Sequence, residues 1–236
     1  MGYKDLPARV ARSIRQRARA RSLRRGLDVE ARADLELIGS SYGGWAIPTG
    51  GFSADSVCYL AGLGTDGSFD LGVIERFGCT VHTFDPVPEA ADYAATLTSA
   101  EPRFVFHQAG LWSDDGALRF YDNAEPGFVS RSATNMHGTS TFWEAQVRSV
   151  DSVMSELGHE RVDLLKLSVE GSEYEIVGDV LRKELPVGVM CVEFAQPAPL
   201  DPIRRQIRAL ADAGYELVSV SLRPLNWRLT FACERP

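Results

Sequence analysis

Apolar and polar positions along most of the chain follow two alternating patterns. Short, nearly continuous apolar runs predict buried strands, and segments with helical spacing of their apolar positions separate most of them. The predicted strands are 56–61, 80–84, 103–108, 117–121, 162–168, 187–194, 215–222 and 227–234. The predicted helices are 69–78, 88–99, 151–157, 173–182 and 202–214. Alternation of apolar strands with helices predicts a parallel sheet that is covered on both faces.

The carboxyl-terminal end departs from this alternation. The last two predicted strands are joined through a turn at Arg223 and Pro224. This connection is too short for a helical crossover, so the two strands are predicted to pair antiparallel. Residues 122–143 form a long polar segment without clear periodicity.

The amino-terminal end is predicted to be helical over 8–25 and 28–38, followed by a glycine-rich loop over 39–51. We therefore divide the chain into a basic helical extension, residues 1–38, and one α/β domain, residues 39–236. The full length of 236 residues is sufficient for a single large core.

Charge is distributed unevenly between these two parts. Residues 1–27 carry nine Lys and Arg against Asp5 alone, although the whole chain has a net charge of −7. The basic arm is predicted either to dock on the acidic domain of its own chain or to make a peripheral contact with an anionic membrane. The acidic remainder argues against a nucleic-acid partner, which would require a basic surface.

Targeting signals are not apparent in the sequence. No apolar run is long enough to cross a bilayer, and no apolar segment follows the basic residues as in a secretory signal. The four cysteines are scattered and three lie in strand-like runs, so we interpret them as free thiols in a reducing, cytoplasmic location. No His, Cys and Asp cluster has metal-ligand spacing, so no metal is predicted.

A glycine motif follows the first of the strong strands. Gly62, Gly64 and Gly67 form G-x-G-x-x-G between a strand and a helix, and Asp85 ends the next strand, 18 residues beyond Gly67. Glycines there allow close approach of a ligand to the backbone, and the acid can accept hydrogen bonds from ribose hydroxyls. The pattern predicts a site for a ribose-bearing cofactor.

Two cofactors compete for this site. A nicotinamide dinucleotide carries a pyrophosphate, which Asp66 inside the glycine loop would repel. The Tyr-x-x-x-Lys pair of short-chain dehydrogenases is also absent from the sequence. S-adenosylmethionine has an adenosine, no phosphate and a cationic sulfur. These points favour S-adenosylmethionine, with a nicotinamide-dependent oxidoreductase kept as an alternative.

A second motif, KLSVEGSEYE, follows the apolar stretch VDLL in the fourth parallel strand. In a doubly wound sheet this strand lies beside the first across the point where the strand order reverses. Lys166, Ser168 and Glu170 are therefore predicted to open onto the same crevice as the glycine loop.

These motifs resemble the FkbM family of S-adenosylmethionine-dependent methyltransferases. The resemblance extends over roughly residues 40–235 and rests on YGGW, AGLGTDGSFDLGVIERFGCTVHTFDPVP, GLWSDDGALRFY and VDLLKLSVEGSEYEIV followed by VMCVEF. It implies a class I methyltransferase fold: an α/β, Rossmann-like, mostly parallel seven-stranded sheet with an antiparallel carboxyl-terminal hairpin.

The resemblance also implies roles for individual residues. Gly62 and Gly64 would approach the cofactor, Asp85 would bind its ribose, and Tyr42 and Trp45 would cover the site. Lys166, Ser168, Glu170 and Glu193 would face the methyl group and the acceptor. The predicted cofactor site comprises Tyr42, Trp45, Gly62, Gly64, Asp66, Ser68, Phe69, Asp85, Pro86, Gly110, Leu111, Trp112 and Ser168.

The predicted reaction is methyl transfer from S-adenosylmethionine to a hydroxyl of a small molecule, sugar or glycolipid, with S-adenosylhomocysteine as product. The candidate catalytic residues are Lys166, Glu170, Glu193 and His137. Lys166 is predicted either to lower the pKa of the acceptor hydroxyl or to form an ion pair with Glu170. The base is predicted to be Glu170, Glu193 or His137. A homodimer is a further expectation.

Two departures from the family pattern keep another reading open. Ser168 stands where relatives have Asp, and Tyr59 and Leu60 end the first strand where many relatives have an acid. The alternative is a catalytically degenerate methyltransferase fold that acts as a binding module. Of the other histidines, His82 and His107 are predicted to be core residues and His159 a solvent-facing turn residue.

Overall fold

The fold consists of one large sheet with helices on both faces and two small sheets beside it. The structure is a computed structural model that describes residues 8–122, 131–135, 138–224 and 226–233, with only the backbone described for 8–12. Its helices are α1 (Ala8–Arg24), α2 (Ser68–Phe77), α3 (Pro88–Ala100), α4 (Val150–Leu157), α5 (Glu173–Arg182) and α6 (Leu200–Asp212). Its strands are β1 (Leu35–Ile38), β2 (Trp45–Pro48), β3 (Val57–Ala61), β4 (Thr80–Phe84), β5 (Phe104–His107), β6 (Gly110–Trp112), β7 (Gly116–Tyr121), β8 (Phe142–Ser149), β9 (Val162–Leu167), β10 (Val187–Ala195), β11 (Glu216–Leu222) and β12 (Asn226–Ala232).

The main sheet has seven strands in the spatial order β5–β4–β3–β9–β10–β12–β11. The first five of these run parallel, and β12 is antiparallel to both β10 and β11. The predicted class I methyltransferase fold, with its antiparallel carboxyl-terminal hairpin, is confirmed. The strand order reverses between β3 and β9, which is where sheets of this kind bind their ligands.

Both faces of the main sheet are buried. Successive residues Leu164 and Leu165 of β9 are fully buried and belong to different apolar clusters, because side chains alternate between the faces of a strand. One cluster contains residues of α1, α4, α5 and α6, and the other contains residues of α2, α3, β1 and β2. This explains the almost uninterrupted apolar strands in the sequence.

The helix predicted over 28–38 is wrong, because Leu35–Ile38 form β1, which pairs antiparallel with β2 inside the predicted glycine-rich loop. The local pattern indicated a helix, but Ile38 and its register partner Trp45 are buried against the main sheet. Tertiary burial has overridden local helix propensity here.

A three-stranded sheet, β6–β8–β7, stands beside the main sheet. Its strand β7 lies within one residue of the predicted 117–121, whereas neither β6 nor β8 was predicted. The segment predicted to be irregular begins directly after β7. An isolated bridge between Tyr121 and Ser132 brings residues 131–135 back toward this sheet.

Helix α1, the core of the basic arm, docks on the domain. Leu23 is 1% exposed within the larger apolar cluster, and the Arg19 guanidinium carbon lies 5.8 Å from the centre of the Trp227 ring. The guanidinium of Arg204, on α6, donates to the Ser22 hydroxyl at 3.1 Å. In the part of the chain described, no helix is long and apolar enough to span a membrane.

Three of the four histidines lie together around Tyr59 and His82 on one face of the main sheet. Tyr59 Oη lies 2.6 Å from His159 Nδ1, and His82 Nδ1 lies 3.1 Å from His107 Nε2. His159 is half-buried in the turn after α4 and packs against the buried Tyr59, so it is less exposed than predicted. Burial, with the neighbouring His107 and His159, lowers the pKa of His82 to about 4.

We expect this cluster to make folding sensitive to mild acid. His82 stays neutral in the folded protein but binds a proton below pH 6.5 when unfolded, so its contribution to stability is lost as the pH falls from 6.5 toward 4. Between pH 7 and 4.5 the free energy of unfolding should fall by about 2 kcal/mol more in the wild type than in His82→Phe, which keeps a ring but does not titrate. Urea unfolding at constant ionic strength measures this difference, and equal losses in the two proteins would contradict it.

Candidate active site

Gly62 brings the ends of β3 and β9 into direct backbone contact. Its φ of +86° lies in the left-handed region, and a Cβ atom there would stand 2.0 Å from the carbonyl oxygen of Ser168. Only glycine allows this approach. The Ser168 amide in turn donates to the Ala61 carbonyl at 3.0 Å. The glycine motif and the strand-four motif therefore meet in one cleft, where the strand order reverses.

Asp85 follows β4 and faces the same cleft. Its Oδ2 accepts a hydrogen bond from the Gly64 amide and its Oδ1 accepts one from the Val87 amide, both at 2.9 Å. The residue is 5% exposed, and burial raises the pKa of its carboxyl above the ordinary value. Each carboxylate oxygen keeps a lone pair, so Asp85 can also accept bonds from ligand hydroxyls.

Residues 39–44, here called the cover loop, fold over the glycine turn. Asp66 holds them, since its Oδ2 accepts a hydrogen bond from Ser40 Oγ at 2.7 Å and its Oδ1 accepts one from the Ser68 amide at 2.9 Å. Burial opposes ionisation of Asp66, but the hydrogen bonds from Ser68 and Ser40 hold its pKa below the ordinary value. A Cβ on Gly43 would lie 2.7 Å from Asp66 Oδ2, so the loop packs directly on this carboxylate. Tyr42, 73% exposed, lines the mouth of the cavity.

A chain of polar contacts joins β9 to the cover loop. Ser168 Oγ donates to Glu193 Oε1 at 2.9 Å, and Arg228 Nε donates to Glu193 Oε2 at 2.5 Å. Asn226 Nδ2 also donates to Oε2 at 2.9 Å. Arg228 Nη1 then donates to the Tyr42 carbonyl at 2.7 Å. Glu193 is thus engaged by three side chains.

Glu170 lies on the other wall, in the turn after β9. Its φ is +48°, and its carbonyl oxygen accepts a hydrogen bond from Ser132 Oγ at 2.7 Å. Arg131, which also lines the cavity, donates to Asp122 at 2.9 Å and to Glu89 at 3.2 Å. Residues 131–135 therefore attach the long polar segment to the turn that carries Glu170.

Most of the predicted site residues border one open cavity in this cleft. Those that line it are Tyr42, Gly62, Gly64, Asp66, Asp85, Pro86, Gly110, Leu111, Ser168, Glu170 and Glu193. Their roles toward cofactor and acceptor stay predictions. Other predicted residues do not line it: Trp45, Ser68, Phe69, Trp112 and Lys166. His137 lies outside the described residues.

Lys166 requires a correction. It is 6% exposed, and its Nζ donates to the carbonyl oxygens of Ala61 at 3.1 Å and Gly62 at 2.6 Å. Burial lowers the pKa of this amine. Lys166 does not line the cavity, so its position does not support the predicted contact with the acceptor, and among the described residues its amine forms no ion pair with Glu170. Lys166 instead binds the carbonyls that begin the glycine turn, because its long side chain reaches across from β9 to the end of β3.

Two tryptophans also lie away from the cavity. Trp45 is 2% exposed beneath the guanidinium of Arg228, whose carbon is 5.1 Å from the ring centre, so it supports the cover loop from inside the protein. Trp112 follows Leu111 in β6. Successive side chains of a strand point to opposite faces, so the side chain of Leu111 faces the cavity and that of Trp112 points away from it.

Ser68 and Phe69, which begin α2, hold the cover loop and the core rather than line the cavity. Ser68 Oγ accepts a hydrogen bond from the Ser40 amide at 2.8 Å. Phe69 is 1% exposed within an apolar cluster. The predicted direct contacts of both with the cofactor are not supported by their positions.

Sequence reasoning missed two arginines at this site. Arg228 reaches Glu193 and the cover loop, and Arg131 lines the cavity. A basic residue in the apolar strand β12 was a usable signal for Arg228, because a buried charge needs a partner. Nothing in the sequence around Arg131 distinguishes it from other polar loop residues.

Comparison with known proteins identifies the family. A model of the methyltransferase FkbM domain matches residues 66–217. The chain belongs to the FkbM methyltransferase family. The resemblance stated from the motifs is confirmed, and S-adenosylmethionine, rather than a nicotinamide dinucleotide, is the cofactor.

This FkbM methyltransferase is also 22% identical over 127 residues to a probable methyltransferase-like protein 24 of Rattus norvegicus and over 128 residues to that of Homo sapiens. The matches cover 54% of the chain and 29% and 28% of those relatives, so the chain spans less than a third of their length.

Solved structures of distant methyltransferases resemble the fold. Aeropyrum pernix fibrillarin with bound S-adenosyl-L-methionine has a TM-score of 0.48 at 11% identity, over 89% of this chain and 86% of that one. A precorrin-6y C5,15-methyltransferase of Geobacter metallireducens has a TM-score of 0.45 at 13% identity, over 78% and 83%. The assignment rests on the family match and on the strand order, not on these values.

The residues present fit S-adenosylmethionine. At Gly64, with a φ of +56°, nothing lies within 4 Å of the position that a Cβ would take, so the turn presents bare backbone to the cavity. Asp85 offers buried lone pairs for ribose hydroxyls, and the carboxylate of Asp66 suits a cationic ligand.

Proposed function

We propose that this methyltransferase methylates a hydroxyl group of a small molecule, sugar or glycolipid. The observation that carries the proposal is the continuity of the cavity, in which the Gly64–Asp85 wall, suited to the cofactor, faces Ser168, Glu170 and Glu193. S-adenosylmethionine supplies an already activated methyl group, so the remaining task of the protein is to orient the acceptor and remove its proton.

The acceptor side favours a hydroxyl because it offers hydrogen-bond acceptors. The hydroxyl of Ser168 donates its proton to Glu193, so its oxygen lone pairs stay available to accept a hydrogen bond from a ligand. Glu170 adds another carboxylate to this part of the cavity. A hydroxyl can donate to such groups, whereas a carboxylate acceptor would be repelled by them.

We assign Glu170 as the base and Glu193 as an orienting group. Both residues line the cavity, and Ser168, Asn226 and Arg228 hold the carboxylate of Glu193 in place, which suits an orienting role. Glu170 lies beside the cavity in the turn after β9, and Ser132 anchors this turn by donating a hydrogen bond to the backbone carbonyl of Glu170 at 2.7 Å. His137 stays a candidate base by sequence alone.

The decisive experiment supplies purified protein with S-adenosylmethionine carrying a labelled methyl group and a library of hydroxylated sugars, glycolipids and secondary metabolites. Mass spectrometry should find label on an acceptor oxygen, and Glu170→Gln should lose about 100-fold in rate, as expected for loss of a general base. Transfer to nitrogen would refute the hydroxyl assignment. Tight S-adenosylhomocysteine binding without transfer to any member would favour the degenerate binding module.

We also propose that α1 meets an anionic membrane. Arg15, Arg17 and Arg21 of α1 are exposed, and the exposed apolar residue Ile14 adjoins them. Gln16 donates to the Pro224 carbonyl at 3.0 Å, which places the helix beside the turn between β11 and β12. The contact would bring the protein to a surface that carries glycolipids. The homodimer and the cytoplasmic location stay predictions.

Changing Arg15, Arg17 and Arg21 together to Gln should weaken binding to vesicles of phosphatidylcholine with 30% phosphatidylglycerol by about 100-fold, from about 1 kcal/mol per arginine. A matched control changes the exposed Arg76, Arg119 and Arg161 to Gln, with the same loss of charge elsewhere. Sedimentation with vesicles measures both. Equal weakening in the two triple variants would exclude a specific role for α1.

A further inference from the structure

Arg228 occupies an unusual place among the groups around the cavity. It is 8% exposed and does not line the cavity, yet it contacts both walls. On one side its Nε binds Glu193, which orients Ser168. On the other side its Nη1 donates to the carbonyls of Tyr42 at 2.7 Å and Gly44 at 3.0 Å.

The planar guanidinium suits this double contact. Its donors point in fixed directions, so one arginine can hold a carboxylate and two carbonyls at the same time. Trp45 lies under the guanidinium, 5.1 Å from its carbon, and limits its movement. A lysine would bring the charge without this geometry.

We infer that Arg228 is a positioning residue that makes closure of the cover loop and the alignment of the acceptor side, through Glu193 and Ser168, a single event. This inference rests on the proposed function. Strand β12 contributes no residue to the family motifs. Through Arg228 it would ensure that the acceptor side is aligned only after the cover loop has closed over the cofactor.

The physical basis is that neither contact is independent of the other. If the cover loop moves away, two carbonyls leave Arg228, and a buried charge with fewer partners is costly. The guanidinium then shifts, and Glu193 with it, because the Nε–Oε2 contact is 2.5 Å. Ser168 then loses Glu193 as the acceptor of its hydroxyl proton. Its hydroxyl could donate a hydrogen bond to a ligand as well as accept one.

The test uses S-adenosylhomocysteine as the probe, so no acceptor is needed. In the wild type, its binding should slow hydrogen exchange in peptides that cover residues 39–46 and residues 168–172 together. Arg228→Lys should raise the Kd for S-adenosylhomocysteine about tenfold and remove the slowing at 168–172. Arg228→Met should raise the Kd further and should also remove the slowing of exchange at 168–172. If Arg228→Met does not fold, Arg228→Lys alone provides the test.

Glu193→Gln separates positioning from simple structural support. This change leaves the contacts of Arg228 with Tyr42 and Gly44 in place, but we expect it to reduce protection of residues 39–46 on ligand binding. The matched control is Arg223→Met, because Arg223 binds the Ser41 carbonyl of the same loop but does not contact Glu193. It should change the Kd less than twofold.

The outcomes are distinct. A folded Arg228→Lys variant with wild-type Kd and wild-type exchange in both segments would overturn the inference, as would full protection of residues 39–46 in Glu193→Gln. Failure of the wild type to bind S-adenosylhomocysteine would instead overturn the cofactor assignment on which the proposed function stands.

Discussion

Replacing Gly62 by alanine should destabilise the fold by about 4 kcal/mol and lower the Tm by about 10 °C. The new Cβ would stand 2.0 Å from the Ser168 carbonyl oxygen, and both atoms belong to neighbouring backbones that cannot rotate away. The strands β3 and β9 would have to separate at the centre of the sheet. The φ of +86° adds strain for any residue with a Cβ.

Gly64→Ala is the matched control for this prediction. Gly64 also has a positive φ, +56°, but a Cβ there meets nothing within 4 Å. It should cost only about 1 kcal/mol of stability, while its methyl group projects into the cavity and weakens S-adenosylhomocysteine binding. Thermal unfolding and calorimetry of both variants give the comparison. Equal stability of the two variants would show that β3 and β9 do not approach each other this closely.

Replacing Asp85 by alanine should weaken S-adenosylhomocysteine binding by about 100-fold. Two hydrogen bonds from ribose hydroxyls to a carboxylate would be lost, at about 1.5 kcal/mol or more each. The amides of Gly64 and Val87 would also lose their acceptors, which loosens the turn that carries the cofactor. Calorimetric titration measures the change.

Asp92→Ala provides the control for Asp85, since Asp92 is an exposed residue of α3 and its removal changes the net charge equally. Its Kd should match that of the wild type. Asp85→Asn keeps one carbonyl oxygen as an acceptor, so its Kd for S-adenosylhomocysteine should lie between those of Asp85→Ala and Asp92→Ala. An Asp85→Ala variant that binds within threefold of the wild type would remove Asp85 from the cofactor site.

The difference between Lys166 and Arg228 shows how far a sequence motif can define a site. Lys166 stands inside the most specific motif, yet its amine donates hydrogen bonds to the carbonyls of Ala61 and Gly62 and does not line the cavity. Arg228 stands outside every motif, yet it joins Glu193 to the cover loop. A motif marks which backbone segments approach the ligand, but the reach of a long side chain depends on neighbours that are distant in the chain.

The sequence by itself determined the alternation of strands and helices, the antiparallel terminal pair, and the meeting of Gly62, Gly64, Asp85 and Ser168 at one edge of the sheet. These follow from local periodicity, turn length and the rule that parallel strands end on the same side. Only the tertiary structure decided that Leu35–Ile38 form a strand, that Trp45 and Trp112 lie away from the cavity, and that Arg228 joins Glu193 to the cover loop. The physical reason is that burial and side-chain pairing depend on contacts between residues far apart in the chain, which local patterns do not encode.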